Sequence, residues 1–75
     1  MEKKSALAQK FGAHVRALRL GRGLSQEELA FACGRSLNYM SEIETGKRNP
    51  TLDTIAAICA ALGVKMSDVL AAVGE

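Results

Sequence analysis

Asn38 and Glu42 stand four residues apart, with Ser36, Leu37 and Ser41 around them. Side chains three and four positions apart share a helix face, so on a helix these five residues would form one small, mostly polar surface. An Asn amide offers a donor and an acceptor side by side, an ionised carboxylate only accepts, and a hydroxyl does either. The set holds no nucleophile with a base beside it; its chemistry is hydrogen bonding to the flat edge of a heterocycle. The amide of Asn38 matches the N6/N7 edge of adenine, Glu42 can accept from the amino group of cytosine, and Leu37 suits the methyl of thymine. Two of the five keep a second reading: Leu37 as an incidental surface leucine, and Glu42 as a solvated acid set away from phosphate.

Downstream, Lys47-Arg48-Asn49 forms a basic, polar run before Pro50. Directly after a helix that presents base-reading groups, such a run is placed to grip phosphates; elsewhere it would be an ordinary solvated loop. The charge along the chain agrees. Residues 1–49 hold nine basic against five acidic residues, a net of +4, whereas residues 50–75 set Lys65 against Asp53, Asp68 and Glu75, a net of −2. A basic front and a mildly acidic back suit a protein that meets a polyanion with one face.

Composition removes other classes. The single His, the absence of an acid/base pair in a plausible cleft and the absence of a phosphate loop leave no basis for catalysis. Cys33 and Cys59 have no second pair and no neighbouring His, so no metal is expected. Both fall at apolar helical positions and read as buried free thiols in a reducing cytoplasm. No cofactor and no small-molecule ligand is expected. Met1 to Ser5 is charged with no apolar stretch after it, so no signal peptide is expected, and no apolar run is long enough to span a membrane.

The elements that must position these residues are helical. With 48% apolar residues but only 4% aromatic, the core has to be built from Ala, Leu, Ile and Val, as in closely packed short helices. A first helix starts near Ser5 and carries the stripe Phe11, Val15, Leu18, Leu20 up to Gly21-Arg22-Gly23. Ser25 and Glu28 form a capping box for a second helix holding Leu29, Ala30 and Cys33, which Gly34 ends. Ser36 caps a third, with Met40 and Ile43 inward and Gly46 as its stop. Thr51 caps a fourth with an inner face of Leu52, Ile55, Ile58, Cys59 and Leu62, closed by Gly63. A last helix holds Met66, Val69, Leu70 and Val73; Lys65 is a poor cap for it, and a start at Ser67 would shorten it. One domain of residues 1–75 is expected, its core at about 11–73 behind an N-terminal extension, 1–10.

Two short helices joined by a Gly-containing turn of about three residues make a helix-turn-helix. The runs Gly23-Leu24-Ser25-Gln26-Glu27-Glu28-Leu29-Ala30, Tyr39-Met40-Ser41-Glu42-Ile43-Glu44-Thr45-Gly46-Lys47-Arg48-Asn49-Pro50 and Thr51-Leu52-Asp53-Thr54-Ile55 resemble the phage repressor and Cro type of helix-turn-helix, as do Gly34 and Ala61-Leu62-Gly63-Val64. The resemblance covers roughly residues 11–73. It implies an all-α, five-helix, lambda repressor-like fold whose third helix enters the major groove of double-stranded DNA.

The resemblance also assigns roles. It places a phosphate contact at Gln26, in the first turn of helix 2, where free backbone amides favour an anion. It maps Arg19 and Glu44 onto the family's ion pair, which ties helix 1 to the end of helix 3 without touching a base. Tyr39 has two readings, a hydroxyl offered to phosphate and a half-buried packing residue. Arg35 stands where the family is usually apolar, either snorkelling to a phosphate or loosening the corner, and His14 stands where the family more often has Arg.

Ala57, Ala60 and Ala61 on the fourth helix, and Val69, Ala72 and Val73 on the fifth, leave small apolar groups that fit a twofold partner. The expected protein is thus a homodimeric regulator on a palindromic operator, similar to restriction–modification controller proteins and small repressors and acting on its own expression. Activation or repression stays open. RNA polymerase is a candidate partner through Glu27 and Glu28, although the capping box already accounts for Glu28. The competing expectation is an antitoxin or anti-activator that binds a protein through helices 4 and 5.

Overall fold

Four of the five helices begin on a hydroxyl that accepts from an otherwise unpaired amide of the first turn. In the computed structural model, which describes residues 5–74, the helices are α1 Ala6–Gly21, α2 Gln26–Cys33, α3 Leu37–Glu44, α4 Leu52–Leu62 and α5 Met66–Val73. Ser5 Oγ accepts from the Ala8 amide at 3.2 Å, Ser36 Oγ from Tyr39 at 3.0 Å and Thr51 Oγ1 from Thr54 at 3.1 Å. Ser25 Oγ accepts from the Glu28 amide at 3.0 Å while Glu28 Oε1 accepts from the Ser25 amide at 2.8 Å, the reciprocal box. α5 starts at Met66 from Lys65, without a side-chain cap. No strand occurs among the described residues, and the fold is all-α.

α2 and α3 are joined through Gly34, Arg35 and Ser36 alone. Gly34 has φ +68°, a left-handed conformation that is costly for a residue with a Cβ. It lets the Arg35 amide donate back to the Ala30 carbonyl at 2.9 Å, so the chain reverses within three residues.

The stripes were legible with three exceptions, Leu20, Leu52 and Leu70. α1 turns Ala8, Phe11, Gly12, Val15 and Arg19 inward; Leu20, expected in that stripe, is 51% exposed. One residue past Arg19 it is rotated by about 100° out of the buried face. α4 buries Thr54, Ile58, Cys59 and Leu62, while Leu52 is 71% exposed. Leu52 shares a face with Cys59 two turns on, but sits at the helix start, where nothing covers it. The expected extension is also part of the fold: residues 1–4 lie outside the described residues, but from Ala6 the chain is helix, with Ala8 buried.

The core gathers Phe11 and Val15 of α1, Leu29, Ala30 and Cys33 of α2, Met40 and Ile43 of α3, Ile58, Cys59 and Leu62 of α4, and Val69 and Val73 of α5. Met40 and Ile43 are both 0% exposed, which fixes the rotation of α3 and hence which residues it turns outward. α1 crosses the end of α3 at Gly12. A Cβ there would collide with the carbonyl oxygen of Ile43 and stand 2.8 Å from that of Glu44. Only glycine permits this approach, and α3 is seated by it.

Candidate nucleic-acid interface

With Met40, Ile43 and Glu44 buried, α3 presents Leu37 and Asn38 to solvent, with Ser41 and Glu42 half-buried beside them. Leu37 is 49% exposed, an apolar side chain left outside at the helix's first turn. Ser36 is exposed but its Oγ already caps the Tyr39 amide, which leaves its hydroxyl proton and one lone pair. The five residues expected to read bases therefore lie together, at unequal availability.

Glu42 is the least free of them. Arg48 folds back from the following loop, and its Nε and Nη2 both donate to Glu42 Oε1, at 2.9 and 2.6 Å. The same guanidinium lies 4.7 Å from the centre of the Tyr39 ring, within cation–π range. Arg48 was expected on phosphate beside Lys47 and Asn49; all three are exposed, but Arg48 is drawn toward the α3 surface. The Glu42–Arg48 pair is one exposed unit rather than two separate contacts.

Gln26 is also engaged. Its Nε2 donates to Glu44 Oε1 at 2.9 Å, which uses one amide proton and leaves the second for an outside acceptor. Arg35 turns toward α4: its Nη2 donates to Thr54 Oγ1 at 3.2 Å, and its guanidinium lies 5.9 Å from the Tyr39 ring centre. Tyr39 is half-buried and packs against the core, with its hydroxyl donating to Thr54 Oγ1 at 3.3 Å.

Behind this surface the Arg19 side chain is 8% exposed and that of Glu44 1%. Arg19 Nε donates to Oε2 at 2.7 Å and Nη2 to Oε1 at 3.1 Å, while Nη1 reaches the Leu24 carbonyl at 2.7 Å. The Glu44 carboxylate thus holds α1, the α1–α2 turn and Gln26 to the end of α3. The hydrogen bond and charge of Glu44 hold the Arg19 pKa above its ordinary value, against the opposing effect of burial. Among the described residues every buried side-chain nitrogen or oxygen has a partner.

The face expected to pair with a second copy needs correction. Val69 and Val73 are 2% and 5% exposed and belong to the chain's own core, so they offer a partner almost no area. Ala57 and Ala61 are half-buried against that core, and Ala60 and Ala72 are exposed. On α1, α4 and α5 other large apolar side chains are left outside, among them Leu52, Leu7 at 58% and Leu70 at 40%, while Phe31 on α2 is 88% exposed. Leu7, Phe11, Pro50, Ile55 and Leu70 line a groove of about 330 Å³ between α1, α4 and α5. Alanine content pointed to α4 and α5 but could not rank their faces, because the rotation of each helix is set by its partners in the core.

Two contributors were missed. Gly12 reads as one more residue of a helix, and only its crossing with α3 gives it a role. Thr54 stood in plain sight as a polar residue four before Ile58, in the middle of an apolar stripe. Among the described residues no group of three or more His, Cys, Asp or Glu side chains could hold a metal, and no single helix is long and apolar enough to cross a membrane.

A family model described as a helix-turn-helix domain matches residues 10–73. The control protein C.BamHI of Bacillus amyloliquefaciens is 49% identical over 61 residues, which span 80% of this chain and 75% of that protein. Among solved structures, the clp gene regulator ClgR from C. glutamicum superposes with a TM-score of 0.86 at 34% identity, over 93% of this chain and 91% of that one. The restriction-modification controller protein C.AhdI from Aeromonas hydrophila does so with a TM-score of 0.83 at 38% identity, over 87% of this chain and 98% of its own.

Proposed function

The chain belongs to the helix-turn-helix family of phage repressor and controller-protein type, and from this we propose that it is a sequence-specific DNA-binding transcriptional regulator. It works without catalysis, in the cytoplasm, as a homodimer on a palindromic operator upstream of its own gene. One observation carries the reading. α3 is locked by two fully buried side chains and a buried ion pair, yet leaves Leu37 and Asn38 outward at its N-terminal end, the end that reaches base edges.

In this reading Asn38 and Leu37 read bases, with Ser36 and Ser41 beside them. Lys47, Asn49 and the second amide proton of Gln26 hold phosphates. Glu42 and Arg48 act as a pair: the carboxylate fixes one edge of the guanidinium, and the other edge keeps its donors for a base or phosphate acceptor. The dimer reading is supported by the groove with its exposed Leu7 and Leu70 and by the exposed Leu52 on α4, not by the buried Val69 and Val73. Two copies of α3 would then face major grooves about one helical turn apart.

Footprinting on the DNA upstream of the gene, at several salt concentrations, tests the reading. Expected are two protected half-sites centred about 10 base pairs apart and an affinity that falls linearly in log–log with salt. Binding with no sequence preference overturns it. Sedimentation tests the dimer: a monomer at micromolar concentration, or dimers unaffected by Leu52→Glu and Leu70→Glu, would remove it.

A further inference from the structure

Thr54 is 2% exposed, among the most deeply buried side chains in the chain, and its hydroxyl is the meeting point of three others. Arg35 Nη2 donates to its Oγ1 at 3.2 Å, the Tyr39 hydroxyl donates to the same atom at 3.3 Å, and Thr51 Oγ1 lies 3.0 Å away. A hydroxyl has two lone pairs and one proton. Arg35 can only donate, and with Tyr39 it fills both lone pairs, so Thr54's own proton must go to Thr51 Oγ1. That oxygen also accepts from the Thr54 amide at 3.1 Å as the cap of α4. The Thr54 hydroxyl is then fully used, with both lone pairs and its proton engaged.

We propose that Thr54 is a positioning residue for DNA reading: its hydroxyl fixes the Tyr39 ring and the Arg35 guanidinium between α4 and the outward face of α3. This rests on the DNA-binding reading above. The consequence runs one step further, because the Tyr39 ring carries the Arg48 guanidinium at 4.7 Å, and Arg48 in turn holds Glu42. Anchored at its hydroxyl, the ring is a fixed platform; without the anchor, ring, Arg35 and Arg48 gain rotamer freedom that DNA binding must remove. Thr54 touches no DNA in this scheme and acts only through residues that can.

The substitution that isolates this role is Thr54→Val, which keeps the branched shape and deletes the hydroxyl. It leaves the cap of α4 in place, since that bond runs from the Thr54 backbone amide to Thr51. Tyr39 is the only tyrosine, and the chain has no tryptophan, so intrinsic emission reports on this one ring. Emission should change in Thr54→Val and return in Thr54→Ser without any DNA present. On a duplex chosen from a random pool by the unaltered protein, Thr54→Val should bind about tenfold more weakly and Thr54→Ser within about twofold of the unaltered chain. Tyr39→Phe should weaken binding as well, and adding it to Thr54→Val should cost little more than the stronger single change.

Unchanged emission in a folded Thr54→Val overturns the proposal, as does unaltered affinity or a double variant whose losses multiply. If Thr54→Val loses its helical circular dichroism, Tyr39→Phe carries the test, and wild-type affinity in that variant is the overturning result. If the unaltered chain selects no sequence from the pool, the DNA reading fails, whereas the emission series still decides whether Thr54 anchors Tyr39.

Discussion

The Arg19 guanidinium and the Glu44 carboxylate meet through two hydrogen bonds of 2.7 and 3.1 Å, although 25 residues separate them in sequence. Both side chains are almost wholly out of water, and the carboxylate carries a third bond from Gln26. Removing one partner from such a pair strands the other charge in a poor solvent. Glu44→Ala should therefore cost about 3–5 kcal/mol, a large share of the stability of a domain this size. Urea unfolding followed by circular dichroism measures it; a loss below about 1 kcal/mol, the range of exposed pairs, would refute the account.

Gly12 and Gly21 both lie in α1, but α3 treats them differently. Gly12→Ala drives a methyl group into the backbone carbonyls of Ile43 and Glu44, which cannot move without shifting α3. It should lower the melting temperature strongly and weaken DNA binding with it. At Gly21 nothing lies within 4 Å of an added Cβ, so Gly21→Ala should stabilise by about 0.5–1 kcal/mol through helix propensity alone. Thermal melts of the two variants must move in opposite directions.

The Glu42–Arg48 pair is exposed at 32% and 46% of its side chains, so it should contribute only about 0.2–1 kcal/mol to folding. Glu42→Ala and Arg48→Ala should each leave the melting temperature nearly unchanged while altering DNA affinity. If the two act as one unit, their combined loss in binding is smaller than the sum of the single losses. Additive losses in a titration series would show two independent contacts.

Asn38 and Lys47 separate base reading from backbone holding. Asn38→Ala should cost about 1–3 kcal/mol on the selected site and relax discrimination at one base position. Lys47→Ala should weaken all sequences alike and reduce the salt slope by about one. Equal effects on selected and random duplexes for both variants would contradict this division.

The two thiols give a pH signature. Burial pushes the Cys33 pKa above its ordinary 9.0, with the nearby Arg35 charge partly opposing it, and burial does the same to Cys59. Each neutral thiol is thus favoured by the fold: its stabilising effect is complete below about pH 9 and is lost as pH rises and the unfolded chain ionises first. Iodoacetamide at pH 8 should modify the native chain far more slowly than the urea-unfolded one. Unfolding curves taken from pH 8 to 10 should show the decline, and replacing both cysteines by Ala should flatten it.

Much of this molecule was determined by the sequence alone because the deciding forces are local. Ser5, Ser25, Ser36 and Thr51 start helices by accepting bonds three residues away, and Gly34 and Gly46 stop them by taking positive φ. Such effects act over one turn of chain and can be read from spacing. The three-residue corner follows from the same local rules.

What the tertiary structure decided is the rotation of each helix and the partners of its polar groups. Arg19 rather than Leu20 faces inward because a carboxylate from α3 waits there. Val69 and Val73 turn into the core and leave Leu52 and Leu70 outside. Arg48 goes to Glu42 and the Tyr39 ring, and Arg35 to Thr54. These outcomes depend on side chains separated in sequence that meet only after packing, and on a hydrogen-bonding requirement that buried groups must satisfy together. Thr54 shows the limit most plainly: its residue type was visible in the stripe of α4, but its three partners were not.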